Sequence, residues 1–299
     1  MSETRPVKGA TSQVSAVLAR LAEGERIVFL DVRWKLGDPH GRQHYLGGHL
    51  PGAVYIDLET ELARHGEPRD GRHPLPSADD FQASVRSWGV NEGDTVVVYD
   101  AAGNLAAARL WWLLRHGGFG SVSVLDGGLA AWKAADGPLE SGPVDPVPGT
   151  VTLGWDQMPV ISLEQAADWS THGVLLDARA AERYAGDTEP IDPRAGHIPG
   201  ASSAPTTENL AADSRFLSPE LLRARFSGLG IGPDSEVAAY CGSGVTAAHE
   251  VLALSLAGIE AALFPGSWSA WSNHPELPVA TGTGAFDVGA ESTAAHPVG

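Results

Sequence analysis

Apolar and polar residues alternate along this chain in two rhythms. Short, almost wholly apolar runs predict buried strands, because strands covered on both faces read as continuous hydrophobic segments. These runs lie at residues 27–31, 95–99, 122–125, 174–177, 236–240 and 261–264. Amphipathic stretches that predict helices lie between them, at residues 12–22, 77–88, 104–116, 163–169, 218–227 and 246–256. This strand–helix alternation predicts an α/β protein built on mainly parallel sheets.

The pattern occurs twice, with a period of roughly 146 residues, from Val28 to Val174. Four blocks recur in the same order: VFLDVR with VLLDAR, GHLPGA with GHIPGA, VVVYD with VAAYC, and LDGGLAAW with FPGSWSAW. We therefore expect two homologous domains, at residues 10–137 and 151–281. Residues 138–150 are rich in Pro and Gly and predict a linker, and the polar residues 282–299 predict a flexible tail.

Composition and charge narrow the class of protein. An apolar fraction of 43% and a charged fraction of 19% are typical of a globular protein. The net charge of −17 argues against nucleic acid or an anionic membrane as a partner. No run approaches the roughly 20 apolar residues of a membrane span, and the N-terminus lacks a signal-peptide core. The single cysteine excludes an intrachain disulfide and a multi-cysteine metal site. Together these features favour a cytoplasmic location.

That single cysteine, Cys241, stands where a predicted strand ends and a predicted helix begins. The turn between them can aim successive backbone N–H groups and the positive end of the helix dipole at one sulfur atom. A thiol held in this way becomes a nucleophilic thiolate more readily than a free one. The Ser243 hydroxyl is placed to touch the sulfur or a leaving group. The N–H groups expected to form the anion-binding nest are those of Gly242, Gly244, Val245 and Thr246.

Asp100 occupies the position of Cys241 in the first copy. Because an aspartate does not suit an apolar core, we expect this position to be accessible to solvent. The residue six positions after the cysteine is Ala247, where a cysteine phosphatase would need an arginine. The loop therefore favours a thiolate cradle without a phosphate clamp.

The recurring blocks resemble those of the tandem-domain rhodanese family of sulfurtransferases, over roughly residues 12–280. In that family only the C-terminal copy keeps the catalytic cysteine. The resemblance implies two rhodanese-like α/β domains, each a mainly parallel sheet flanked by helices, with the active site at their interface. The loop CGSGVT is similar to that of 3-mercaptopyruvate sulfurtransferases, whereas thiosulfate-using members more often carry basic residues there. Thiosulfate is a compact dianion that favours cations in the loop, whereas mercaptopyruvate carries one carboxylate that a more distant arginine can hold.

The resemblance also implies further site residues. Arg183 matches the family's substrate-anion arginine. A second family arginine lies in a Pro-Glu-Pro-Arg segment; the stretch here, residues 189–194, is shorter, and Arg194 is the candidate replacement. The N-terminal domain contributes a carboxylate and a histidine, which match Glu59, where the family has Asp, and His73. Residues that recur in the copy without cysteine are expected to be structural: Asp31, Arg33, His49, Asp177, Arg179 and His197. Packing roles are expected for Trp34, Trp111, Trp112 and Trp268.

The family chemistry implies ping-pong transfer of a sulfane sulfur through a persulfide on Cys241. The donor is a small molecule, 3-mercaptopyruvate or thiosulfate, and the acceptor is a thiol, thioredoxin or cyanide. No metal or organic cofactor is implied. Two alternatives stay open: a thiosulfate:cyanide sulfurtransferase, and a persulfide carrier or interaction module with little turnover.

Overall fold

The structure, a computed structural model, describes residues 9–232 and 234–283. The first half contains β1 (Thr11–Ser12), α1 (Val14–Ala22), β2 (Ile27–Asp31), α2 (Gly41–Gly47), β3 (Val54–Tyr55), α3 (Leu58–Glu61), α4 (Ala78–Ser87), β4 (Thr95–Tyr99), α5 (Ala107–His116), β5 (Val122–Leu125) and α6 (Gly128–Ala134). The second half contains α7 (Leu163–Asp168), β6 (Val174–Asp177), α8 (Ala181–Ala185), β7 (Ser202–Ser203), α9 (Pro219–Gly228), β8 (Val237–Tyr240), α10 (Thr246–Leu256), β9 (Ala262–Leu263) and α11 (Ser267–Ser272). Short 3₁₀ segments lie at Pro68–Asp70, Trp169–Thr171 and Thr206–Asn209.

Each half is built on a parallel sheet. The strand orders are β1-β5-β4-β2-β3 and β7-β6-β8-β9, so the second sheet repeats β3-β2-β4-β5 of the first. All strand pairs are parallel. This confirms the predicted fold class of two similar α/β domains.

The predicted strands and long helices are all present, with boundaries shifted by three residues or fewer. The largest shift is at α5, which begins at Ala107 instead of residue 104 because the preceding turn folds around the Asp100 carboxylate. Serine caps set two other starts: Ser77 accepts from the Asp80 N–H, and Ser218 accepts from the Leu221 N–H. The short elements that were not predicted include β3, β7 and α8, since so few residues carry no readable period.

The two halves share one buried core. Helices α5 and α10 pack against each other, and a single apolar cluster includes Trp111 from one half and Leu252 from the other. An extensive apolar contact of this kind holds two domains in a fixed relation. Trp111, Trp112 and Trp268 are fully buried, as expected, whereas Trp34 is only partly buried and lines a groove.

Residues 138–150 contain no helix or strand and lie along the first half, where the Gly149 N–H donates to the Arg86 carbonyl. Residues 284–299, most of the predicted flexible tail, lie outside the described residues. Among the helices of the described ranges, none has both the length and the apolar character needed to cross a membrane.

Candidate active site

The cysteine loop begins where the central strand of the second sheet ends. Strand β8 ends at Tyr240, beside Asp177 at the end of β6, and helix α10 begins at Thr246. Ligands of parallel α/β sheets bind at this carboxyl edge. Cys241, immediately after β8, is buried at 2% exposure, and its Sγ accepts a hydrogen bond from the Gly244 N–H at 3.1 Å.

Gly244 makes this turn possible. Its φ of +79° lies in the left-handed region, and an added Cβ would lie 2.5 Å from the Pro265 carbonyl oxygen. Only glycine fits such a position without displacing the neighbouring backbone. Of the expected anion-binding nest, the Gly244 N–H is the group that contacts the resting sulfur. Gly242, Val245 and Thr246 belong to the same turn.

The block FPGSWSAW, residues 264–271, holds the cysteine loop through hydrogen bonds to its backbone. The Cys241 N–H donates to Ser267 Oγ at 3.1 Å, and the Ser267 hydroxyl donates to the Phe264 carbonyl at 2.9 Å. The Trp268 N–H donates to the Cys241 carbonyl at 2.9 Å, and the Ser269 N–H donates to the Gly242 carbonyl at 2.8 Å. The recurring block therefore holds the backbone on both sides of the cysteine.

Ser243 connects the loop to the N-terminal domain. Its Oγ lies 2.7 Å from His73 Nδ1, and His73 Nε2 lies 3.0 Å from Glu59 Oε2. The other Glu59 oxygen accepts from Trp34 Nε1 at 2.7 Å. Since an ionised carboxylate can only accept, the His73 proton is assigned to Nε2, and the Ser243 hydroxyl donates to Nδ1. The structure thus brings together Cys241, Ser243, His73 and Glu59 across the domain interface.

The surroundings of His73 disfavour the charged form of its ring. Burial lowers the pKa of the His73 imidazole below its ordinary value; the Glu59 carboxylate opposes this effect, and Arg109 and Arg72 add to it. A lowered pKa leaves the ring neutral, and therefore able to accept a proton, at neutral pH. The Glu59 side chain is 54% exposed, so this hydrogen-bonded chain runs from solvent to the buried loop.

Two arginines lie over the loop. A Cβ added to Gly242 would lie 3.1 Å from Arg72 Nη2 and 3.4 Å from Arg183 Nη1. Arg72 pairs with Asp192, and Arg183 pairs with Asp192 at 3.2 Å and with Glu189 at 2.7 Å. Arg183 was expected here from the sequence, whereas Arg72 was missed. Its position directly before His73 is the signal that could have identified it.

Arg194 does not extend the site, contrary to the sequence expectation. Its three guanidinium nitrogens donate to backbone carbonyls at 2.8–3.0 Å, those of Trp271, Ser272, His274 and Leu277. The end of α11 leaves carbonyl groups without helical partners, and a guanidinium is a good donor to them. Arg194 therefore stabilises the chain after α11.

Asp100 corrects a second expectation, because it is fully buried and not solvent-accessible. Its carboxylate accepts from four backbone N–H groups at 2.7–3.1 Å, those of Ala102, Asn104, Ala106 and Ala107. Burial raises the pKa of Asp100, and these hydrogen bonds oppose the rise. Buried polar groups are tolerated when their hydrogen bonds are satisfied, as they are here.

The recurring charged residues have structural roles, as expected. Arg33 pairs with Asp31 and Arg179 with Asp177, each at 2.5 Å and on the sheet edge of its own domain. The rings of His49 and His197 contact backbone carbonyls, those of Leu50 and Gly142 for His49 and of Tyr184 for His197. Within residues 9–232 and 234–283, no group of three or more potential ligands is arranged to hold a metal ion.

Comparison with known proteins identifies the relatives of this chain. The sequence model of the rhodanese-like domain matches residues 14–135 and 162–274. A putative thiosulfate sulfurtransferase, SseB of Mycobacterium tuberculosis, is 46% identical over 92% of this chain and 99% of its own. A probable 3-mercaptopyruvate sulfurtransferase of Pseudomonas aeruginosa is 47% identical over 88% of this chain and 95% of its own. The crystal structure of the Escherichia coli 3-mercaptopyruvate sulfurtransferase SseA superposes with a TM-score of 0.77 at 33% identity, covering 87% of this chain and 99% of that one.

Proposed function

The chain belongs to the rhodanese family and is a sulfurtransferase, and we propose that it transfers a sulfane sulfur from 3-mercaptopyruvate to a thiophilic acceptor through a persulfide on Cys241. The observation that carries this choice of donor is the hydrogen-bonded chain Ser243–His73–Glu59, whose first member lies in the cysteine loop.

In the first half-reaction, sulfur passes from mercaptopyruvate to Cys241. The Cys241 thiolate attacks the thiol sulfur of mercaptopyruvate, an S–S bond forms, and the C–S bond breaks with its electron pair going to the pyruvate enolate. The thiol proton leaves the sulfur, and one proton is added to the enolate carbon to give pyruvate. Ser243, backed by neutral His73, is placed to accept the first proton and return it to the leaving group. The product on the enzyme is the Cys241 persulfide anion.

Proton handling separates the two donors. Mercaptopyruvate must lose a thiol proton, and its leaving carbon must gain one. Thiosulfate carries no such proton, and sulfite departs as a stable anion. A serine–histidine–carboxylate chain beside the nucleophile therefore serves mercaptopyruvate chemistry and has no task with thiosulfate.

The charge over the loop supports the same donor. Arg72 and Arg183 bring two positive charges to Gly242, and their partners Glu189 and Asp192 bring two negative charges. A single donor carboxylate needs only part of one guanidinium to be released from its partner. A compact dianion would have to displace more of this network.

In the second half-reaction an acceptor removes the outer sulfur and restores the thiolate. We propose a thiol or thioredoxin as the acceptor, with cyanide as the assay acceptor; cyanide attack gives thiocyanate and the Cys241 thiolate. The loop N–H groups stabilise the negative charge of the persulfide until the acceptor binds. A free catalytic thiol functions best in a reducing compartment, which favours the cytoplasm.

Thiosulfate is the second candidate donor, and one observation favours it. The Arg72 and Arg183 guanidinium groups, both close to Gly242, could together hold a dianion if their carboxylate partners moved away.

The test is the intact mass of the protein after brief incubation with each donor, with Cys241→Ser as the control. We expect one added sulfur from mercaptopyruvate and none in the control. His73→Asn should slow loading from mercaptopyruvate far more than loading from thiosulfate. Loading by thiosulfate alone would overturn the donor. Loading without turnover by cyanide or thiols would favour a persulfide carrier.

A further inference from the structure

We propose that Arg109, a residue of the N-terminal domain, positions the cysteine loop across the domain interface and supplies the buried positive charge that favours the Cys241 thiolate. The proposal rests on Cys241 acting as the nucleophile. It assigns to the copy without a cysteine an electrostatic part in the reaction of the other copy.

Arg109 lies in the middle of α5, a helix that is otherwise almost entirely apolar, and is 0% exposed. A buried cation is costly unless a charge or hydrogen bonds compensate it. Its hydrogen bonds all go to backbone carbonyls, those of Leu62, His73 and Gly244. Among the described residues Arg109 forms no ion pair with a carboxylate, so its charge is available to another anion.

The bond to Gly244 acts on the anion-binding nest. Arg109 Nη1 donates to the Gly244 carbonyl at 3.2 Å. That carbonyl shares its peptide unit with the Val245 N–H, while the Gly244 N–H itself donates to Cys241 Sγ at 3.1 Å. A cation on the carbonyl fixes the orientation of this peptide and polarises its N–H at the start of α10.

The bond to His73 acts on the base. Arg109 Nη2 donates to the His73 carbonyl at 3.0 Å. One guanidinium therefore holds both the loop that carries Cys241 and the segment that carries its proton-transfer partner. Because α5 is buried, this side chain helps to fix the separation between the two, together with the direct hydrogen bond between Ser243 and His73.

The nearby carboxylates are already committed to other partners. Glu59 accepts from Trp34 and His73, while Glu189 and Asp192 pair with arginines over the loop. The acidic group that remains to interact with the Arg109 charge is the Cys241 thiol. Burial lowers the pKa of Arg109 to about 10, and the charge of Cys241 opposes that lowering. The guanidinium is therefore positive at neutral pH.

The other charged or titratable groups near the cysteine loop contact different residues of the loop from the one that Arg109 contacts. Arg72 and Arg183 lie over Gly242 at the mouth of the loop, each in an ion pair, and His73 reaches the loop through Ser243. Arg109 approaches from the buried side. The second domain has no equivalent cation, because Arg109 is the third residue of α5 and the third residue of α10 is Ala248.

The experiment measures alkylation of Cys241 by iodoacetamide as a function of pH, read by intact mass, since the chain has only one cysteine. Arg109→Met removes the charge and keeps an unbranched stem, and Arg109→Lys keeps the charge. We expect Met to raise the midpoint of the pH–rate profile by about one pH unit, and Lys by less than half as much. Arg194→Met is the matched control, because Arg194 also donates only to backbone carbonyls but lies away from the loop. It should leave the midpoint unchanged.

An unchanged midpoint in Arg109→Met, or equal shifts in Met and Lys, would overturn the proposal. If the Met variant does not fold, the Lys variant decides: a midpoint near that of the parent supports the role of the charge, and a full shift removes it. Alkylation requires no donor. Failure of donor loading with a shifted midpoint would therefore refute the proposed function alone, and loading with an unshifted midpoint would refute the role of Arg109 alone.

Discussion

The loops after β4 and β8 are the same structure used in two ways. In each, the carbonyl of the first residue accepts an N–H at 2.9 Å from the recurring downstream block, Leu129 to Asp100 and Trp268 to Cys241. In the first domain four N–H groups converge on the Asp100 carboxylate. In the second, one N–H contacts the Cys241 sulfur. The nest that surrounds the Asp100 carboxyl group in one domain thus has only one N–H in contact with the resting sulfur in the other.

This difference explains what the second loop can do. The Asp100 carboxylate satisfies its nest from within, so the first loop is structurally complete and chemically inert. The Cys241 loop retains N–H groups for the outer sulfur of a persulfide, which carries its charge one bond further from the backbone. The reactive loop is the one whose own side chain leaves donors unused.

The most severe loss of activity is expected when the second loop is given the side chain of the first. Cys241→Asp should reduce sulfur transfer to background, a loss of at least about 10⁴-fold, because no nucleophile remains. Its midpoint of thermal unfolding should stay near that of the parent, since the nest can hold a carboxylate. The steady-state rate with mercaptopyruvate and cyanide and a thermal melt test both statements. Cys241→Ser is the control for loss of sulfur alone, and a marked fall in melting temperature specific to Asp would show that the two nests differ.

The hydrogen-bonded chain Ser243–His73–Glu59 is a second difference between the two loops, because the position of Ser243 is Ala102 in the first loop. His73→Asn should lower kcat with mercaptopyruvate by about 10²- to 10⁴-fold, the usual range for loss of a general acid–base group. Glu59→Gln should cost less, about tenfold, because this carboxylate is half exposed and acts only through His73. Equal losses for the two variants would contradict this order. Steady-state kinetics measures both losses. Arg194→Met, a variant outside the site, is the reference that separates these effects from a general loss of folded protein.

Asp100 tests the structural side of the comparison. Asp100→Ala leaves four buried N–H groups without their acceptor and should lower the free energy of unfolding by about 2–4 kcal/mol. Asp100→Asn keeps one acceptor oxygen and should lose less. Chemical denaturation followed by tryptophan fluorescence measures both. A neutral Ala variant would mean that water replaces the carboxylate in the nest.

The smallest expected effect is on pH dependence. Because burial lowers the pKa of His73, the ring stays neutral until the pH falls below its ordinary value of about 6.5, and kcat should decline only there. The Glu59 charge raises the pKa of His73, so Glu59→Gln should move the acidic inflection to still lower pH. An inflection that moves upward would refute the assigned contact. The pH profile of kcat with saturating mercaptopyruvate measures it.

The fold and the central loop were accessible from the sequence because both depend on local patterns: apolar runs, a repeat, and glycines around one cysteine. The roles of Asp100, Arg194 and Arg109, like the position of Arg72, were not. The sequence does not show that Asp100 is enclosed by its own backbone N–H groups, or that Arg194 meets the carbonyls at the end of α11. Both contacts depend on the positions of backbone groups in a turn or in a segment distant in sequence, which local patterns do not reveal. Arg109 did carry a signal, since a lone arginine within an apolar helix requires a buried partner, but its partner belongs to the other domain.

The packing of α5 against α10 has a consequence for how this protein can change over generations. His73, Glu59 and Arg109 belong to one copy, and Cys241 and Ser243 belong to the other. The copy without a cysteine is not dispensable, because it contributes residues to the site. Selection therefore acts on both halves together. Deleting either half should abolish activity as completely as loss of the Cys241 sulfur.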